Sequence, residues 1–232
     1  MPAFTPLELE ALRLSLRVGL WSVAASLPLG LAIAFLLARG RFPGKIVLDG
    51  VVHLPLVVPP VAVGFALLVL CGRQGPIGAW LYDSFGISFA FNWKGAALAS
   101  AVMGFPLMVR AMRLSLELVD RRLEAAARTL GAGRLRVFLT ITLPLMAPGI
   151  LTGIILAFAR SISEFGATIT FVSNIPGETR TLPLALYAFT QVPGGDAAAW
   201  RLALLSVALA MAALIASELL ARRLDRRIRG WS

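Results

Sequence analysis

The sequence predicts an all-helical integral membrane protein with five spans, and three observations carry that prediction. Of 232 residues, 58% are hydrophobic and only 15% are charged, against roughly 45–50% and about 25% in soluble domains. Five apolar stretches reach the ~20 residues that a bilayer-spanning helix needs. The basic residues lie in blocks between these stretches, which is how membrane topology is written.

The stretches run from about Leu12 to Ala38, Ile46 to Leu70, Trp93 to Val109, Ile141 to Ile162, and Trp200 to Ala221. The turn after the first holds Arg39, Arg41 and Lys45. The segment between the third and fourth holds Arg110, Arg113, Arg121, Arg122, Arg128, Arg134 and Arg136. The tail holds Arg222, Arg223, Arg226, Arg227 and Arg229. In a five-span chain these blocks share one side, which is therefore the cytoplasm, with the N-terminus outside and the C-terminus inside. Trp80, Tyr82, Trp93 and Trp200 then fall at the outer edge, as an aromatic belt does. The alternative is six spans, with part of Phe165–Phe189 entering the membrane. Asn174, Pro176, Gly177 and Pro183 cut that segment and favour an outer loop with short helices. The expected organisation is an extracytoplasmic segment 1–11, a transmembrane domain 12–221 with a loop at 119–138, and a basic cytoplasmic tail 222–232.

The net charge of +10 is written in the topology and does not point to nucleic acid. One cysteine, Cys71, excludes an internal disulfide and a cysteine metal cluster. His53 stands alone and reads as a packing residue at a helix end. Met1 to Glu10 is acidic and the apolar stretch after it is too long for a signal peptide. An eleven-residue tail leaves the expectation that no regulatory domain follows within this chain.

Prolines interrupt three spans: Pro28, then Pro55, Pro59 and Pro60, then Pro106. Each removes a backbone donor and bends its helix, which a membrane tolerates where neighbours or a water-filled path satisfy the backbone. Bent helices around a cavity suit a transporter. Small residues recur every fourth position at Ser22, Ser26 and Gly30, and at Gly149 and Gly153. That spacing marks close helix approach, within one subunit or across a dimer seam.

The segment between the third and fourth stretches is the most informative. Asp120 suits a helix N-cap, Ala125, Ala126 and Ala127 are strong helix formers, and Gly131 can close the helix in the left-handed conformation. Leu123, Ala126, Ala127 and Leu130 fall on one face. A short helix with a small apolar face and a basic surround is a docking element for a groove on a partner.

The run Ala126-Ala127-Arg128-Thr129-Leu130-Gly131-Ala132, followed later by Leu143-Pro144, resembles the "EAA" loop of binding-protein-dependent ABC permeases. The resemblance implies a type I ABC importer transmembrane domain and a coupling helix, with Asp120, Leu123, Glu124, Ala126, Ala127, Leu130 and Gly131 at the contact with an ATPase subunit. Aligned on Gly131, the family's usual glutamate falls at Ala125, and Glu124 lies one residue earlier. That step turns a helical side chain by about 100°. The chain carries no G-x-x-x-x-G-K-[ST] nucleotide loop, so it binds no cofactor of its own, and ATP and Mg belong to the ATPase partner.

The stretch from Ser161 to Thr181 is similar to the molybdate branch of that family, with sulfate permeases as the alternative. This implies an inner-membrane, multi-pass permease in a prokaryote. It would pair with a second copy of itself, two cytoplasmic ATPase subunits and a periplasmic or surface-tethered oxyanion-binding protein, in a lipid bilayer. A tetrahedral dianion wants neutral donors and at most an arginine or so. Arg160, Ser161, Ser163, Glu164, Thr168 and Thr170 are the candidates for the translocation path. Arg160 and Glu164, four apart, also read as a mutually neutralising pair. An ion-coupled secondary carrier is the rival class; it would need a buried coupling-ion site near mid-span, and no Asp lies near the middle of a span to supply one.

Overall fold

In a computed structural model, the backbone of residues 5–229 and the side chains of residues 5–216 and 218–220 are described. The described residues form helices and no strand: α1 (Pro6–Arg39), α2 (Lys45–Val57), α3 (Pro60–Cys71), α4 (Pro76–Phe85), α5 (Trp93–Leu118), α6 (Arg121–Thr129), α7 (Arg134–Val137), a π-helical stretch (Phe138–Thr142), α8 (Leu143–Ile162), α9 (Gly166–Val172), α10 (Leu182–Thr190) and α11 (Asp196–Arg229). Among the described residues four helices are long and apolar enough to cross a membrane, and the bent pair α2 and α3 makes a fifth when the two are counted as one broken span.

Helix α1 starts early, at Pro6, because Thr5 and Glu8 form a reciprocal capping box. The segment expected to stand outside the bilayer is thus already helical over its second half. At the other terminus, α11 runs on through residues 222–229 of the basic tail, and residues 230–232 lie outside the described residues.

The second apolar stretch is not one rod. Helices α2 and α3 meet at 115°. A residue before proline is pushed from the helical to the extended region, and Val58 and Pro59 both precede prolines. Val58 has ψ 138° and Pro59 ψ 133°, so the helix stops and restarts. The pair still traverses the bundle. Asp49 on α2 bonds to Arg113 near the end of α5 at 3.0 Å, while Cys71 at the end of α3 packs with Leu14, Val18 and Ala96 at the opposite end. Pro28, Pro55 and Pro106, by contrast, lie inside continuous helices.

The centre of the bundle is α5, the most buried span, with α1 on one side and α8 on the other. A methyl group added to Gly149 would lie 2.1 Å from Ser115 Cβ, one on Gly153 would lie 2.9 Å from the Met108 carbonyl, and one on Gly104 would lie 3.1 Å from the Ala157 carbonyl. The Gly149–Gly153 spacing therefore serves packing within the chain, where small residues let backbones approach. Two apolar clusters stack along this contact. One holds Leu37, Met108, Met112, Leu116 and Met146; the other holds Leu14, Val18, Met103 and Phe171.

Contacts also identify the two ends. At the basic end Arg39 reaches Val119 and Glu124. At the far end Arg201 bonds to buried Glu8 at 2.7 Å, and the Trp93 ring meets that of Trp21 at a tilt while Arg17 lies 3.7 Å above the Trp93 ring. The basic turn after α1 and the basic segment after α5 thus share one end, as the charge pattern predicts. The Phe165–Phe189 segment forms α9 and α10 rather than a sixth crossing. Helix α9 is packed inward against α3, where a methyl on Gly64 would lie 2.5 Å from the Ala167 carbonyl. Helix α11 buries little of itself, and Leu204, Val207, Met211 and Ile215 face outward, as on a lipid-facing or partner-facing surface.

Gly149→Val is expected to cost about 1–3 kcal/mol by overpacking, lowering the thermal midpoint of the detergent-solubilised protein. Gly50→Ala is the control, since an added methyl there meets nothing within 4 Å. Equal midpoints for the two variants would show that the α5–α8 approach is not close.

Candidate functional site

The segment between α5 and α8 folds as its residues dictate. Asp120 Oδ1 accepts the Arg122 N–H at 2.9 Å and caps α6. Gly131 has φ +86°, its N–H donates to the Arg128 carbonyl, and the Ala132 N–H donates to the Ala127 carbonyl, both at 3.0 Å. This is a Schellman closure, with glycine at the one position where an L side chain is strained. Leu123 and Ala126 are exposed, Leu130 is 88% exposed, and Ala127 is half-buried. The apolar face predicted from the sequence is therefore open at the basic end, with none of the described residues covering most of it.

Glu124 faces the other way. Its Oε1 accepts from Arg39 Nη2 at 3.2 Å and from Thr142 Oγ1 at 2.9 Å. The sequence groups Glu124 with the outward contact residues, whereas the turn of the helix places its carboxylate against the bundle. Arg39 ends α1, and its Nη2 also donates to the Val119 carbonyl at 3.2 Å. Thr142 lies in the π-helical stretch and is 2% exposed. That stretch comes immediately before Leu143 and Pro144; proline has no N–H to give and crowds the preceding turn, and a widened turn relieves both.

The second candidate region begins where α8 ends. Arg160 Nη1 stands 2.6 Å from Glu164 Oε2, so the expected i,i+4 pair is formed. The Glu164 side chain is 1% exposed, and its other oxygen accepts the Ala167 N–H at 2.7 Å, which fixes the start of α9. Most of the hydroxyls are not free donors. Ser163 donates to the Arg160 carbonyl at 3.1 Å, Thr168 to Phe165 at 2.8 Å and Thr170 to Gly166 at 2.9 Å. Back-bonding of this kind is what Ser and Thr do on helices. Ser161 is buried and accepts from Ser22 Oγ at 3.3 Å. The donor-rich stretch is thus dispersed around α8 and α9, and an apolar cavity of about 410 Å³ beside it is lined by Ala159, Phe165, Leu186 and Tyr187 among others. Of the six candidates, Arg160 keeps charged donors beyond its pair.

Sequence reasoning did not single out Arg39, Thr142, Asp49 or Arg113 as site residues. Arg39 and Arg113 were visible only as members of basic blocks, and pairing across 64 to 85 residues leaves no local signal. The Asp49–Arg113 pair sits with His53, Arg110 and Glu117 around a polar pocket between α2 and α5.

Residues 26–230 match the family described as the binding-protein-dependent transport system inner membrane component. The chain belongs to this family. It is 65% identical over 93% of its length, and 94% of the relative's, to the molybdenum transport system permease protein ModB of Escherichia coli strain K12. It is 56% identical over 96% of its length, and 97% of the relative's, to the ModB of Haemophilus influenzae. The fold is shared with the crystal structure of a bacterial ABC transporter involved in the import of the acidic polysaccharide alginate (TM-score 0.73, 16% identity, 95% of this chain and 80% of that one). It is shared as well with the inward-facing MetNI methionine ABC transporter (TM-score 0.66, 14% identity, 94% of each chain). An inner-membrane, multi-pass permease component of the type I ABC importer fold accounts for every span described above.

Gly131→Ala is expected to cost about 1–2 kcal/mol at the end of α6. Amide exchange at Ala132 should then quicken by roughly 5- to 30-fold, measured by hydrogen–deuterium exchange. An unchanged rate would show that the left-handed turn does not hold the helix end.

Proposed function

We propose that this chain is the pore-forming subunit of an ATP-driven importer of molybdate, driven by a separate ATPase. The observation that carries the cargo is the 65% identity to a molybdenum transport permease, which extends over 93% of the chain. A sulfate transport system permease of Synechococcus elongatus is 37% identical, a more distant likeness. The open apolar face of α6 supports the docking of an ATPase subunit, since the chain has no nucleotide loop of its own. Two copies of the chain form the pore, each with an ATPase on its basic, cytoplasmic end, and the oxyanion-binding protein docks on the outer loops. ATP closes the ATPase pair and draws the two α6 helices together, and the bent spans turn the cavity outward; hydrolysis resets it.

The residues also suit weak handling of a dianion. With the hydroxyls of Ser163, Thr168 and Thr170 bonded to carbonyls, Arg160 is the cationic group of the candidate path, and Glu164 tempers its charge. A subunit that passes its cargo on does not hold it tightly, and selectivity resides mainly in the binding protein.

Uptake by membrane vesicles carrying the full complex and its binding protein tests the cargo. Molybdate should enter in an ATP-dependent way and resist competition by excess sulfate; sulfate uptake with molybdate excluded would overturn the assignment. Arg160→Ala should lower uptake at least about tenfold, in line with the loss of a charge-assisted contact, while the amount of assembled complex stays near native. Loss of the assembled complex in parallel would make Arg160–Glu164 a structural pair only.

A further inference from the structure

The carboxylate of Glu124 joins three elements that are far apart in sequence. It belongs to α6, accepts from Arg39 at the end of α1 and accepts from Thr142 in the π-helical stretch leading into α8. The Arg39 and Glu124 side chains are only 12% and 15% exposed, so water competes little for the pair. Arg39 Nη2 divides itself between Glu124 and the Val119 carbonyl, just ahead of the Asp120 cap. Its Nε is buried and has no hydrogen-bond partner among the described residues. A guanidinium normally grips a carboxylate through two parallel N–H groups. Here the grip on Glu124 is one-armed, through Nη2 alone.

Among the described residues few other side-chain contacts hold α6 to the bundle. None of its residues is buried. The α1 end reached by Arg39 leads in six residues to α2, whose first residue, Lys45, donates back to the Gly40 carbonyl at 3.3 Å. Helix α2 is the arm that ends at the Pro59–Pro60 break.

We propose that Glu124 is a positioning residue that transmits movement of α6 to α1 and α8 through Arg39 and Thr142, and does not itself face the ATPase. The inference rests on reading α6 as the ATPase-docking helix. It also gives a physical account of a glutamate at 124 with alanine at 125: the outward face stays apolar, and the acid serves the inward face. Force applied to Leu123, Ala126 and Leu130 reaches the membrane helices through a charge-assisted bond and a buried hydroxyl.

The test uses the whole complex in proteoliposomes with its binding protein, with molybdate, tungstate and sulfate measured in parallel, so that the strut is judged on whichever oxyanion the native complex imports. Uptake of none of the three by the native complex would count against the importer reading. With native uptake in hand, E124Q and R39A should bind the ATPase and retain stimulated ATP hydrolysis, while oxyanion imported per ATP falls about tenfold or more. T142V, which removes one bond and leaves the ion pair, should give a smaller fall. The exchange R39E/E124R should recover a good part of the loss. Native import per ATP in both E124Q and R39A would overturn the proposal. So would loss of ATPase binding in E124Q with R39A unaffected, because Glu124 would then face the partner. Should either single variant fail to accumulate, T142V and the charge exchange decide: native coupling in T142V with no rescue in the exchange would likewise overturn it.

Discussion

The close approach of α5 and α8 is the constraint on which the rest of the chain depends. In a bilayer, lipid tails are as apolar as leucine, so helices associate through packing rather than by escaping water. That packing requires the missing side chains at Gly149 and Gly153, where a methyl would overlap Ser115 and the Met108 carbonyl, and Gly104 leaves a methyl only a tight fit against the Ala157 carbonyl. With α1 laid against the same helix, the three spans form a slab whose two apolar clusters run from end to end. The other elements hang from it. Helices α2 and α3 bury only Val52, Gly64 and Cys71 between them, and α11 faces mostly outward. A rigid centre with thinly attached flanks gives a transporter something to move and something to move it against.

The flanks are fixed by polar contacts at the ends, where burial is incomplete and charges are tolerable. Glu8–Arg201 fastens the start of α11 to the start of α1. Asp49–Arg113 fastens α2 to α5, and Arg39–Glu124 fastens α6 to α1. Each joins elements distant in sequence, and all lie near a helix end rather than at mid-span, consistent with the high cost of ionisable groups in hydrocarbon.

Much of this was legible in the sequence, and the reason is the solvent. Span length, basic blocks and the capped α6 follow from rules that act locally: apolar runs of bilayer length, positive charge on one side, Asp120 before a helix and Gly131 after it. The inward arrangement was less legible. A hydropathy run cannot distinguish a straight helix from the 115° pair, although Pro59–Pro60 carried the signal. The Gly149–Gly153 spacing announced a close contact but did not name α5 as the partner. The candidate path was the least legible, because Ser163, Thr168 and Thr170 look alike as donors in a sequence, and only the backbone reveals that their protons are already bonded to carbonyls. Arg39 looked like one more positive charge; its pairing across 85 residues is a property of the fold alone.

The committed hydroxyls bear on how a permease avoids trapping an anion. A fully built oxyanion site, with several convergent N–H and O–H donors in a low-dielectric setting, would hold a dianion strongly. Such a site suits a binding protein and not a pore. Here the donors near the end of α8 are bonded to their own helix, the buried carboxylate of Glu164 is divided between Arg160 and the Ala167 N–H, and the adjoining cavity is lined chiefly by apolar side chains. Arg160 is the group that could slow an anion by attraction, and the Glu164 carboxylate beside it cancels much of that charge. On the proposed reading of this path, weak anion binding would follow from ordinary helix back-bonding and a local ion pair, with no separate device.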